Sequence, residues 1–270
     1  MKRSLTTVAI IALCSTQLRA DVRVKSTMSV EGGPAAMMGG LSPSVMTHIK
    51  GSKSRTDIVV GTQTTSTIMD VEAKELVVLN SADKTARIIT ADKATAVPGG
   101  FTMPKIDATL KPTGQAKVID GARCDEHVFT VSMSMAEMAA SPKMPPEAVE
   151  MMKDMRMLMS GSMWLAKSGP GVAEYTAFQT ASMKQSMAAL LRAVPGMGSS
   201  GFDRLMESFS GASGLPYLTE MTMVIEGGGE VAAMMKQLGA MKMTNKVTEV
   251  STEALADDLF KVPADYKIIR

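Results

Sequence analysis

Hydrophobic and polar residues alternate along much of the chain, the pattern of strands with one covered and one wet face, because successive strand side chains point to opposite sides. Val22, Val24, Met28 and Val30 alternate with Arg23, Lys25, Thr27 and Ser29. Further strands are predicted over 44–50, 55–60, 64–70, 75–80 and 85–91, separated by polar turns such as Gly51-Ser52-Lys53 and Ser81-Ala82-Asp83-Lys84. Connections this short join antiparallel neighbours, since parallel strands need a long crossover. The stretch 115–131, QAKVIDGARCDEHVFTV, predicts a hairpin turning at Gly121. Its outgoing strand places Arg123, Asp125, His127, Phe129 and Val131 on one face and Cys124, Glu126, Val128 and Thr130 on the other. Gly and Pro interrupt the strands in a methionine-containing loop over 31–43 and again at Pro98, Gly99, Gly100, Pro104 and Pro112.

Helical periods appear in the second half. Pro145 and Pro146 predict a helix start, with Val149, Met152, Met155 and Met159 on one side, followed by a strand over 162–167. The clearest helix is predicted over 171–194, where Val172, Tyr175, Phe178, Met183, Met187, Leu190, Leu191 and Val194 form an apolar stripe that Pro195-Gly196 ends. A short helix is expected around Phe202, Leu205, Met206 and Phe209, then a strand over 217–226. Gly227-Gly228-Gly229 reads as a flexible hairpin connection before an apolar segment over 231–238. Alternation returns over 242–252, and the tail over 255–263 suggests a helical turn running into an extended end.

The first twenty residues change the compartment. Lys2 and Arg3 precede an apolar run ending near Leu13, and Leu18-Arg19-Ala20 closes on a small residue, as a cleavable secretory signal over 1–20 does. Cys14 follows a leucine where a lipobox needs a small residue, so cleavage after Ala20 is the expected processing. The remaining residues, 21–270, are expected to form one domain in the periplasm or outside the cell. Removing Lys2, Arg3 and Arg19 from the 29 basic residues leaves 26 against 27 acidic ones. The mature chain is therefore near neutral, without the basic stripe that nucleic-acid binding needs. It retains Cys124 alone, so no intramolecular disulfide staples the fold.

Catalytic signatures are missing. There are two histidines, no G-x-S-x-G elbow, no H-E-x-x-H and no phosphate-binding loop, and the expectation is a protein that is not an enzyme. Cys124 and His127 have C-x-x-H spacing, yet on a strand they point to opposite sides. Arg55 and Asp57 share a strand face and read as a surface pair worth little. Methionine, with 27 residues, is the compositional anomaly. It is an adaptable core filler, it makes soft linings that suit lipids or varied apolar partners, and its thioether selects Cu(I). M-x-M pairs at Met133/Met135, Met157/Met159, Met221/Met223 and Met241/Met243 put two sulfurs on one strand face. Met221, Met223, Met157 and Met159 are the candidate ligands for copper or silver. Neither His48 nor His127 adjoins such a pair in sequence.

Three segments, TGQAKVIDGARCDEHVF, MWLAKSGPGVAEYTAF and LADDLFKVPADYK, follow an exported strand meander in that order. Together they resemble an uncharacterised family of secreted bacterial proteins, some of whose relatives look like the outer-membrane lipoprotein carrier (LolA-type) half-barrel group. The resemblance implies an α+β fold, a curved, incompletely closed antiparallel sheet whose concave face helices cover and which holds acyl chains. On that basis the expected ligand is an apolar small molecule, a lipid or a lipidated protein, with peripheral contact to the envelope membrane. Trp164, Tyr175, Phe178, Met183, Met187 and Leu190 are the candidate lining. A filled structural component without a ligand is the remaining alternative.

Overall fold

The computed structural model describes residues 21–33, 42–90, 106–135, 149–150, 152–193 and 212–269. Its strands are β1 (Val22–Glu31), β2 (Ser44–Lys50), β3 (Lys53–Val60), β4 (Gln63–Asp70), β5 (Glu75–Asn80), β6 (Thr85–Thr90), β7 (Ile106–Ile119), β8 (Ala122–Ser134), β9 (Arg156–Ala166), β10 (Leu215–Glu226), β11 (Met241–Ser251) and β12 (Lys267–Ile269). They form one 12-stranded sheet in the order β12-β6-β5-β4-β3-β2-β1-β11-β10-β9-β8-β7. All pairings are antiparallel except that of β12 with β6. The meander read from the first half is the run β2 to β6, and β1 welds it to the C-terminal half through β11. The outermost strands, β7 and β12, do not pair, so the sheet stays an open half-barrel.

The opposite faces of β4 meet different covers. Helix α1 (Val172–Ala193) lies over Val22, Val24 and Ile49, burying Val172 and Phe178, and Met69 of β4 packs at the margin of this cluster. Its approach is close: a Cβ on Gly171, whose φ is +70°, would sit 2.9 Å from a Val22 methyl. The neighbouring Ile68 faces the other way, into a second cluster with Val77, Leu79, Ala86 and Phe260. Phe260 comes from a 3-10 turn, Asp257–Phe260, that precedes β12.

Polar contacts hold this tail down. Lys50 Nζ donates to the Leu255 carbonyl at 2.6 Å and pairs with Asp257 at 2.8 Å, while the Leu255 N–H donates to Asp21 at 2.6 Å. Arg55 is not the loose surface residue expected. Its Nε donates to Asp57 at 2.8 Å, Nη1 to the Leu259 carbonyl at 3.2 Å and Nη2 to Ser66 at 3.3 Å. The Arg55 and Asp57 side chains keep only 20% and 18% of their exposure, so the pair is a tether for the tail.

Three local readings change. Residues 149–150 and 152 are helical, but Met155 is buried outside the helix and the chain enters β9 at Arg156, so Met159 is a strand residue. Strand β9 is hydrogen-bonded by β8 on one side and β10 on the other, and two ladders outweigh the local helical period. Pro112 does not end its strand; β7 runs through it with a bulge between Pro112 and Ala116, and as the last strand of the described sheet it tolerates a proline. Gly227-Gly228-Gly229 is no free hairpin, since Gly228 caps helix α2 (Gly229–Leu238), which packs back on β10. The helix expected around Phe202–Phe209 lies outside the described residues, as does most of the 31–43 loop.

Candidate functional site

Directly opposed residues of an antiparallel pair project to the same side of the sheet, so register decides which side chains share a surface. The registers of β8 to β11 and β1 gather methionines from separate parts of the chain. Met133, Met157 and Ile225 form one cross-strand row. The next is Val131, Met159, Met223 and Met241. Beneath it run Phe129, Gly161, Met221, Met243 and Val30, and then His127, Met163, Thr219, Asn245 and Met28. The reverse side of the same strands carries Thr130, Ser160, Thr222 and Lys242, and next to them Val128, Ser162, Glu220 and Thr244. Around Met159 and Gly161 one face is thus thioether and hydrocarbon and the other mostly hydroxyl and charge, while Leu158 and Val224 stand on the reverse side farther along.

The methionines in these rows are neither fully buried nor fully exposed. On β1, Met28 and Val30 have the same parity as Val22 and Val24, so the methionine face continues toward the end that α1 covers. Gly161 sits in its middle. A Cβ there would lie 1.9 Å from the Glu220 carbonyl oxygen and 2.9 Å from Met221 Cα, so only glycine lets β9 and β10 approach this closely. The missing side chain also leaves a gap in the row between Phe129 and Met221.

The copper candidates Met157, Met159, Met221 and Met223 all lie on this face, with Met159 directly opposite Met223. His127 proves to be opposite Met163, a neighbour that their separation in sequence conceals. It is 3% exposed, and its Nδ1 lies 3.4 Å from the Asp125 carbonyl. Cys124 points to the other side, as alternation predicted, and is fully buried; burial pushes its thiol pKa up, with Asp125 adding to the rise and Lys117 opposing it. The thiol is protonated and sheltered, which makes it a packing residue.

Of the residues expected to line an acyl site, Trp164, Phe178 and Tyr175 belong to one buried cluster or its margin. Trp164 has the opposite parity to Met163 and packs at the sheet end with Cys124, Ala166 and Leu215, with the Lys117 ammonium 3.8 Å from its ring centroid. Phe178 is buried in the same cluster, and Tyr175 packs at its margin, where burial raises the phenol pKa against an opposing hydrogen bond with Gln179. Met183 leaves the stripe and is 39% exposed. Nothing is described for the side chains of Met187 and Leu190. An open groove of about 610 Å³ follows the flank of α1, lined by Thr176, Thr180, Lys184, Lys167 and Gly214 among others; none of Trp164, Tyr175, Phe178 or Met183 borders it.

Among the described residues no group of three or more His, Cys, Asp or Glu side chains could hold a metal ion, and no helix is long and apolar enough to cross a membrane. The methionine face was half visible in sequence as M-x-M pairs. What joins the pairs is strand order, which no spacing encodes.

No family model matches the chain, and no curated protein sequence matches it. Among solved structures, an uncharacterized conserved protein from Thermus thermophilus aligns over 94% of this chain and 92% of its own, at 9% identity and a TM-score of 0.40. The Mycobacterium tuberculosis lipoprotein LppX aligns over 87% of this chain and 88% of its own, at 11% identity and a TM-score of 0.30.

Proposed function

We propose that the protein is an exported, non-catalytic half-barrel that binds an apolar ligand, a lipid or acyl chain free or carried by a protein partner, against its methionine face. The observation that carries this reading is the thioether and hydrocarbon surface across β8, β9, β10 and β11, whose methionines stay partly accessible while the reverse rows of Thr130, Ser160, Thr222 and Lys242 and of Val128, Ser162, Glu220 and Thr244 are mostly polar. Unbranched, polarizable side chains repack around ligands of different shape, which suits a carrier of heterogeneous chains. The basic start and apolar run within residues 1–20, read as a secretory signal, support an activity in the periplasm or beyond it.

The test is titration of a fluorescent fatty-acid analogue into the mature chain, purified without detergent, beside a Met223→Glu variant. A carboxylate in the centre of an apolar row must be desolvated when the ligand lands on it, and a loss of about tenfold or more is expected. An unchanged affinity in a variant whose far-ultraviolet circular dichroism is also unchanged overturns the assignment of the ligand to this face.

A further inference from the structure

We infer that the same face holds a monovalent soft metal ion, Cu(I) or Ag(I), at the methionine quartet of β10 and β11. Met221 stands opposite Met243, and Met223 opposite Met241, so four thioethers occupy the corners of one rectangle on one face. Directly opposed Cβ atoms on paired strands are about 5 Å apart, and alternate residues along a strand about 7 Å apart. Each sulfur lies two bonds beyond its Cβ on an unbranched, freely rotating arm, so sulfurs from all four corners can converge above the rectangle. Met159, opposite Met223 on the next strand, supplies a fifth thioether at its edge.

The chemistry of the surroundings sets the choice of ion. Thioethers are soft donors that favour Cu(I), whereas carboxylates and carbonyls serve hard cations. The charged neighbours Glu220 and Lys242 alternate onto the reverse side, and no group of three or more His, Cys, Asp or Glu side chains suited to a metal occurs among the described residues. A neutral quartet has no carboxylate with which to attract Zn(II) or Ca(II). All five methionines are partly accessible, so an ion can enter without unfolding the sheet. Binding adds ligands to an ion already in its monovalent state and involves no electron transfer.

Ion binding needs the sulfurs and not the apolar ligand, and Met→Leu keeps the volume and hydrocarbon character of each site while removing the thioether. The experiment is native mass spectrometry with Ag(I), and Cu(I) competition against a bathocuproine chelator, on the wild type, on Met221→Leu/Met223→Leu, and on the variant with all four quartet residues changed to leucine. Met183→Leu/Met234→Leu, at exposed positions outside the face, is the control. The expected result is a bound ion in wild type and control, weakened about tenfold or more in the double variant and lost in the quadruple one. Wild-type affinity for the ion in the double variant overturns the site even if the quadruple variant fails to fold. Equal loss in the Met183/Met234 control overturns it as well, by marking the binding as diffuse thioether affinity.

Discussion

Gly161→Ala tests the closeness of β9 and β10 on which the methionine face depends. The added methyl would lie 1.9 Å from the Glu220 carbonyl oxygen, and an ordinary contact requires at least 3.4 Å. The obstacle is backbone on a strand paired from both sides, so no side chain can swing away to relieve it. Overpacking a fitted interior costs about 1–3 kcal/mol. Forcing the strands apart also weakens the flanking ladder bonds, each worth about 1 kcal/mol. The sum is about 3–5 kcal/mol, which at about 2–4 °C per kcal/mol lowers Tm by about 6–20 °C. Gly228→Ala is the control, because Gly228 has φ −100° and a methyl added there would meet nothing within 4 Å. Thermal unfolding followed by circular dichroism reads both variants. If Gly161→Ala unfolds within about 2 °C of the control, the close approach is not a constraint and the packing of the methionine face has been misjudged.

Two further predictions concern the other face. Phe260→Ala removes the aromatic anchor among Ile68, Val77, Leu79 and Ala86, and a cost of about 3–5 kcal/mol is expected by urea denaturation, together with faster proteolysis of the C-terminal tail. His48 lies between Arg23 and Arg55 in the strand register, and its imidazole pKa is held below the usual 6.5, first by burial, with Arg55 and Arg23 adding to the effect and Asp57 opposing it. The folded protein therefore favours neutral His48: the resulting stability is complete above pH 6.5 and is lost as pH falls toward and through the lowered value. His48→Gln should shrink the drop in urea midpoint between about pH 7.5 and about pH 5, and an identical drop in the variant would remove His48 as its source.

The alternation of Val22 to Val30 and the short polar turns after Lys50 and Ser81 were enough to specify an antiparallel meander, because strand period and turn length are local properties. The same holds for the hairpin at Gly121, for the separation of Cys124 from His127, and for α1, whose stripe begins at Val172 as its spacing predicts. Local patterns failed where two neighbours decided the outcome. Met155 to Met159 carry a helical period, yet β8 and β10 both offered hydrogen bonds and the segment became strand. Arg55 and Asp57 looked like a surface pair until a tail some two hundred residues away in sequence covered them.

The sequence alone determined the materials of the candidate site: an excess of methionine, its M-x-M spacing, and the poverty of histidine, cysteine and catalytic motifs. Only the tertiary structure decided that Met159, Met223 and Met241 stand in one row, that His127 meets Met163, and that Trp164 is buried at the sheet end with Cys124 and Leu215. Spacing along a strand sets which side chains share its own face. Which strands lie side by side, and in what register, is settled by pairing between segments far apart in the chain, and there the scattered methionines become a surface.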